Sequence, residues 1–416
     1  MMRLPPVLAA LRWHKAGAML IALQIALTLA IVSNALFIIE QRSLHRERPS
    51  GLKENDLLLV SQMFAGPQAL AGDARQLEPM HRADLAALRQ LPGVKAAGEV
   101  NTLPLLGSGW NTGVSLKPDA DDNTVHVAEY LMDEAALPTL GLKLLAGRNF
   151  TQADLLDSPR VMRGDVPQIM VTKALAQHFF PAGAVGHQLY LSGSRRPSTI
   201  IGVVERLQNP AAQGWGDNFA WNSIVVPQRM DGTMSTYVIR ARPGQMPALY
   251  QMIPKQLLAV DRLRVMNIRG SGNVVAYSAL RAQAYKSDRG MATLMAVICT
   301  ILLTVTAGGV VGLTSFWVGQ RRRQIGVRRA LGARRRDILA YFLSENLLIS
   351  GVGAVLGMGL SLLLNRALMH WFELPRMPPS SMLLGLVLIE MVSVAAVLMP
   401  ALKASRIAPS SAIREA

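Results

Sequence analysis

Two acids sit where acids are least at home. Glu345 and Glu390 each fall inside a long apolar run, and at mid-membrane a charge costs on the order of 2.5–3.5 kcal/mol on insertion scales. An acid kept at that cost is a candidate proton or ion site. It is equally a candidate packing residue, protonated or hydrogen-bonded among helices, and Glu345 is near enough to a charged turn to reach water. That turn is the second concentration of chemistry. Gln320 to Leu339 reads QRRRQIGVRRALGARRRDIL, with eight arginines (Arg321, Arg322, Arg323, Arg328, Arg329, Arg334, Arg335 and Arg336) against one acid, Asp337. Ile325, Val327, Ala330 and Leu331 recur at helical spacing, and Gly332 is placed to end the helix. With Gly326, Arg328 and Arg329 between them, these residues make a short amphipathic helix, a good shape for gripping a cytosolic partner. The competing reading is a topology signal that touches only anionic lipid, at about 1 kcal/mol per basic residue.

Small residues form a third pattern. Gly308 and Gly312, and Gly353 and Gly357, are GxxxG pairs that let helices approach closely. They point to packing within the chain or against a second subunit rather than to a ligand. The Gly351–Gly359 cluster is a poor dinucleotide loop, because Leu356 stands where the third glycine belongs and the run lies inside an apolar segment.

Against these patterns stand the chemistries that are missing from the sequence. No P-loop, HExxH, GxSxG or histidine pair at metal spacing occurs. His45, His81, His126, His178 and His187 have no ligand spacing and read as surface or core residues. No catalytic residue, metal site or cofactor site is expected on this chain. The net charge of +16 raises nucleic acid as a partner, but the densest basic cluster lies between two apolar runs without aromatic interleaving or a nucleic-acid-binding motif, so nucleic acid is excluded. The single cysteine, Cys299, allows no intrachain disulfide.

The elements that must position these residues are apolar runs of membrane length. Half of the 416 residues are hydrophobic. Ala16 to Ile39 is 24 residues without a charge, about 36 Å as a helix, and is longer than a cleaved signal core. Three further spans are expected at 288–318, 338–364 and 382–402, with the first taken as 16–40. Basic residues at 1–15 (Arg3, Arg12, Lys15), in the turn 319–337 and in the tail 403–416 put all three on the cytosolic side. The stretch 41–287 and the proline-bearing loop 365–381 then face outward. The outer stretch has an α+β pattern: a strand near Asp56–Met63, a helix near His81–Leu91 and a strand near Val94–Val100, then much later a strand near Thr236–Ala241, a helix near Gln245–Val260 and a strand near Leu263–Ile268. That is a split ferredoxin-like unit interrupted by a lobe at about 102–230. The lobe carries strands at Gln168–Val171, Gln188–Leu191, Thr199–Val204 and Ser223–Val226 and a helix near Lys173–Phe180. Ala276 to Lys286 reads as helix with no breaker before the second span. The expected fold is a membrane protein of four transmembrane α-helices with a large two-lobed α+β domain between the first and second.

At the turn, Gln324-Ile325-Gly326-Val327-Arg328-Arg329-Ala330-Leu331-Gly332-Ala333 resembles the Glu-Ile-Gly-Ile/Val-Arg-Arg-Ala-Leu-Gly-Ala run of the permease domain shared by FtsX, the lipoprotein-release permeases and MacB. Gln324 stands where that family carries Glu. Glu345 matches the family's acid in the third span. Pro400, Ala401, Ala404, Pro409, Ala412 and Arg414 match its C-terminal pattern, with Ile413 for Leu. Leu144 to Phe150 (LLAGRNF) and Ile200 to Val204 (IIGVV) resemble the MacB-type periplasmic domain. The resemblance implies a non-catalytic permease of a bacterial inner membrane that pairs with a second permease, homo- or heteromeric, and seats its turn helix on cytosolic ABC ATPase subunits. ATP and magnesium would be held by the ATPase, expected as a separate polypeptide. It further implies an outer domain that moves with the nucleotide cycle to drive export or efflux, with a periplasmic adaptor and an outer-membrane channel as possible partners of the MacB branch. An FtsX-like regulator of a cell-wall hydrolase and a lipoprotein-release permease share the fold.

Overall fold

The computed structural model describes residues 15–71, 74–118, 124–156, 165–211, 214–266, 272–372 and 375–406. Arg3, Arg12, Ile268, Pro409, Ala412, Ile413 and Arg414 lie outside the described residues. The chain divides into two compact units, Arg48–Lys286 and the sequence on either side of it.

The chain opens with helix α1 (Lys15–Arg46). Next come β1 (Leu57–Phe64), α2 (Pro67–Ala71), α3 (Ala74–Gln90), β2 (Val94–Val100), β3 (Trp110–Ser115), β4 (Val125–Met132), α4 (Ala136–Leu140) and β5 (Leu144–Gly147). They are followed by β6 (Gln168–Thr172), α5 (Lys173–Phe179), β7 (Gln188–Leu191), β8 (Ser198–Val204), β9 (Ser223–Pro227), β10 (Met234–Ala241), α6 (Met246–Val260), β11 (Arg264–Met266), β12 (Val275–Ala276) and α7 (Tyr277–Ala284).

Strands β11-β1-β10-β2 lie side by side and antiparallel. This is the order produced when two β-α-β halves interleave. Helices α3 and α6 cover one face of the four strands, through Leu88, Leu249 and Ile253 against Leu58, Val60 and Ile239. The alternate residues Leu57 and Leu59 face a different cluster, around Tyr130 and Tyr277, so β1 is buried on both faces and its first four residues, Leu57 to Val60, are all apolar. The inserted lobe follows another plan. Strands β4, β3, β7, β8, β6 and β9 form a chain of pairings that closes when β9 returns to β4. Val127, Ile169, Leu175, Ile200 and Ile224 fill the ring. The ring meets the first sheet at Val100 opposite Met132, and α4 presses directly on β2, where a β-carbon on Gly98 would lie 2.7 Å from Ala136 Cα. Strands β3, β4, β5 and β12 are additions to the sequence-based expectation.

The other unit continues with α8 (Lys286–Gln320), α9 (Arg322–Ala330), α10 (Arg335–Phe372) and α11 (Pro379–Ser405). With α1, the helices α8, α10 and α11 are long and apolar enough to cross a membrane, and the chain is a membrane protein. Two corrections follow. The helix expected to run unbroken from Ala276 into the second span stops at Tyr285 (φ −98°, ψ 16°), whose side chain is buried. The third helix continues past Leu364 through half of the stretch expected as loop, because nothing in NRALMHWF breaks a helix before Pro375.

The two glycine pairs part company. β-Carbons on Gly353 and Gly357 would lie 2.7 and 2.9 Å from the carbonyl oxygens of Ala22 and Ala26, so α10 rests on the backbone of α1. At Gly308 and Gly312 a β-carbon would meet nothing within 4 Å. Polar side chains join the helices elsewhere: Thr28 to Thr306 at 2.8 Å, Asn34 Nδ2 to Ser361 Oγ at 3.2 Å, and Arg42 and His45 to Asp288 at 2.8 Å each.

Candidate functional site

Helix α9 is nine residues long, too short to hold by its own hydrogen bonds, and its ends and one face are tied down. At its C-terminus Gly332 takes φ +99°, a conformation that disfavours any side chain. The Ala333 N–H then donates to Arg328 O at 3.1 Å and the Gly332 N–H to Arg329 O at 3.2 Å, the paired bonds of a Schellman end. Four residues later α10 begins with its own cap, the Arg334 N–H donating to Asp337 Oδ2 at 2.8 Å.

The inner face of α9 and the residue before it repeat at 321, 325 and 328. Arg321 Nη1 donates to both oxygens of Glu345, at 3.0 and 2.8 Å, and both side chains are buried. Ile325 is 5% exposed and packs in one apolar cluster with Ile338 and Phe342. The Arg328 guanidinium stands over the Tyr341 ring at 5.0 Å. The outer face is different in kind. Val327 is 50% exposed and Leu331 is 83% exposed, with Ala330 exposed beside them and Arg322 and Arg323 exposed on the flank. A small apolar knob ringed by cations is the composition of a contact surface, apolar at the centre and charged at the rim.

The sequence-predicted stripe is therefore split. Ile325 and Gly326 are buried within the membrane unit, with Ile325 one turn from Arg321. Val327, Ala330 and Leu331 remain outside, Arg329 is half-buried, and Gly332 acts through its backbone. Glu345 is buried and hydrogen-bonded, as the counter-charge of Arg321. That pairing went unread in the sequence, although an acid in an apolar run beside eight arginines is the signal for it, since a buried carboxylate needs a partner. Glu390 takes a separate partner, accepting from Ser350 Oγ at 2.8 Å, and the neighbouring Asn346 Nδ2 donates to Ser393 Oγ at 2.9 Å. The two intramembrane acids thus do not form one site.

The unit Arg48–Lys286 has a polar nest of its own beneath α3. Arg264 forms a two-pronged pair with Asp84, at 2.6 and 2.9 Å, with both side chains fully buried. The Tyr237 hydroxyl donates to Asp84 Oδ2 at 2.8 Å. His81 lies 2.9 Å from Glu99; burial opposes its charge, but Glu99 prevails and raises its pKa. Beside it is a hollow of about 170 Å3 bordered by Arg89, Glu99 and Asp133. Burial, aided by the charges of Glu134 and Glu99, pushes Asp133 up to about 7. Among the described residues no three His, Cys, Asp or Glu side chains converge to hold a metal.

Comparison with known proteins places these features. The model of the MacB-like periplasmic core domain matches residues 18–253, and that of the FtsX-like permease C-terminal region matches residues 296–409. The chain is 24% identical over 300 residues to the ABC transporter permease YvrN of Bacillus subtilis, covering 70% of this chain and 71% of that one. It is 26% identical over 349 residues to the macrolide export ATP-binding/permease protein MacB of Pasteurella multocida, covering 82% of this chain and 50% of the relative. The chain thus spans about half the length of that relative. Among solved structures, the periplasmic region of MacB from Actinobacillus actinomycetemcomitans aligns with a TM-score of 0.34 at 11% identity, over 57% of this chain and 95% of that one. With the periplasmic core model covering more than half of the sequence and the permease model covering its later helices, the chain belongs to the MacB-like, FtsX-like family of ABC transporter permeases.

Proposed function

We propose that this chain couples ATP hydrolysis by a separate cytosolic ABC ATPase to movement of its outer domain, and thereby to export from a bacterial inner membrane. The observation that carries the reading is the outer face of α9: Leu331 and Val327 stand exposed on a helix whose inner face is fixed by an ion pair, an apolar contact and a cation–ring contact. A knob of this kind transmits displacement only if its base does not yield, and Arg321, Ile325 and Arg328 supply that base. ATP and magnesium belong to the ATPase. The chain itself positions, grips and moves. The arginines raise the local positive potential toward the ATPase and the lipid surface. The domain between α1 and α8 faces the periplasm with its two lobes, and a second permease completes the pair. A periplasmic adaptor and an outer-membrane channel would carry the exported material onward. The match to the MacB-like core domain supports export over the hydrolase-regulator and lipoprotein-release readings.

The test is Leu331→Asp in the full chain, together with its copurified ATPase, in lipid nanodiscs. Leu331 makes so little contact within the chain that insertion and thermal stability should stay unchanged. Stimulation of ATPase activity by the permease should fall by tenfold or more, the loss expected when a central contact residue of an interface is removed. Normal stimulation in that variant would remove α9 from the coupling role.

A further inference from the structure

A hollow of about 570 Å3 opens beside the later half of α10. Its floor is one face of that helix, since Gly359, Leu362, Leu363, Arg366 and Met369 recur at three- and four-residue steps. Gly359 helps to create it: a β-carbon there would meet nothing within 4 Å. The opposite wall is the segment leading into α11, drawn back over the helix by the Met377 N–H, which donates to Asn365 Oδ1 at 3.2 Å. That bond uses the oxygen of Asn365 and leaves its Nδ2 buried with no acceptor, in a residue only 3% exposed. A buried amide donor is an unfavourable feature unless an acceptor enters the hollow. Arg366 and Arg376 also line the hollow. Both are exposed, and no carboxylate among the described residues pairs with either.

These groups are layered. The two cations and the orphaned N–H lie toward the end of α10, while Gly359 lies seven residues back, about 10 Å along the helix, with apolar side chains between. The ligand that complements this arrangement has an anionic head with several acceptor oxygens and an apolar tail pointing toward mid-membrane. On the orientation proposed above, this end of α10 faces outward, where Lys and Arg are depleted. Two arginines kept there call for a partner that bulk topology does not explain.

We infer that the hollow holds one anionic phospholipid from the outer leaflet of that membrane. Arg366 and Arg376 bind its phosphate as charge-assisted donors, Asn365 Nδ2 donates to a head-group oxygen, and an acyl chain lies over Gly359 and Leu363. The inference rests on the orientation given under the proposed function, and the lipid would then serve as a fixed outer bearing for α10 as that helix moves.

The test uses the full chain, purified from nanodiscs of phosphatidylcholine with phosphatidylglycerol, and counts lipids retained per chain by native mass spectrometry. Phosphatidylglycerol should be retained over phosphatidylcholine by roughly thirtyfold, the scale that two basic residues supply toward anionic lipid. Arg366→Gln with Arg376→Gln should abolish that preference. Gly359→Leu, which has room for its side chain, should reduce retention of either lipid with no fall in thermal stability. Equal retention of the two lipids, an unchanged preference in the double variant, or displacement of phosphatidylglycerol by millimolar inorganic phosphate would overturn the inference. Labelling of Arg376→Cys by a membrane-impermeant thiol reagent tests the orientation by itself. Reaction only from the cytosolic side would reverse the proposed topology while leaving the retention result to stand or fall separately.

Discussion

Replacing Glu345 by Gln leaves Arg321 charged, largely buried and without its counter-ion. The pair is made at 2.8 and 3.0 Å, with side chains 10% and 4% exposed, so solvent cannot substitute for the lost carboxylate without local opening. Removing one partner of a buried pair costs about 3–5 kcal/mol. The Tyr341 hydroxyl, 3.5 Å from the same nitrogen, offers partial relief and favours the lower end. About 3 kcal/mol corresponds to roughly two orders of magnitude in the ratio of docked to undocked α9. The assay is hydrogen exchange in nanodiscs, read at the amides of α9, beginning with Ile325, whose N–H donates to Arg321 O at 2.9 Å. Protection should fall by about a hundredfold in Glu345→Gln and similarly in Arg321→Gln. The double variant should lose less than the two single losses combined, because it leaves no unpaired charge. Asp337→Asn is the control for charge alone, since its pairing with Arg336 is exposed and 4.0 Å long, and α9 protection should stay near the parent value. Additive losses in the double variant, or losses below about threefold in the singles, would refute the argument that this pair holds α9 in place.

The remaining predictions concern other parts of the molecule. Asp133 holds its proton up to about pH 7 in the folded state but only to its ordinary 3.8 when unfolded, so the folded state binds the extra proton between these values. Its contribution to stability is present below about pH 4, is lost as pH rises to 7, and is flat beyond. Asp133→Asn should therefore flatten the pH profile of thermal unfolding of the unit Arg48–Lys286 over that window and raise its stability at pH 8, by an amount on the order of 4 kcal/mol at most. Gly353→Val should force α10 off the backbone of α1, where even a β-carbon comes within 2.7 Å of a carbonyl oxygen, and lower the melting temperature of the membrane unit measurably. Gly308→Ala and Gly312→Ala should leave the melting temperature of the monomer unchanged or slightly raised. A drop in dimer yield on native gels for those two variants alone would assign the open glycine face to a second subunit.

The parts of this fold legible in the sequence are those whose signal is local. A run such as Ala16 to Ile39 needs no partner to declare itself as a helix long and apolar enough to cross a membrane. The halves β1-α3-β2 and β10-α6-β11 were legible for a related reason: each alternates or repeats on its own, and chain order alone then dictates the interleaved sheet. The inserted ring was legible only in part. Strand β3 opens with Trp110 and Asn111 exposed and has no apolar alternation before Val114, so its place in the sheet comes from pairing with β4. Strand β4 is specified from both edges, by its sequence neighbour β3 on one side and by the distant β9 on the other, and no short window of sequence contains β9 together with it. Closure of the ring is a property of those distant pairings.

The site divides along the same line, and the division explains why the arginine turn could be located but not oriented. In so short a helix and its cap, apolar side chains at 325, 327, 330 and 331 cover more than one direction around the axis, so periodicity alone cannot say which of them faces inward. The choice is made by Glu345, three turns into α10. Its carboxylate demands a cation, Arg321 is the arginine within reach, and the residue one turn after Arg321 is Ile325. Once that phase is set, Val327 and Leu331 have nowhere to go but outward, and their exposure follows from the burial of an acid more than ten residues away. The intramembrane acid that resembled a proton site in isolation is thereby tied to the arginine turn that resembled a topology signal. Each explains the other's placement: the carboxylate orients the helix, and the helix supplies the charge that lets the carboxylate remain buried.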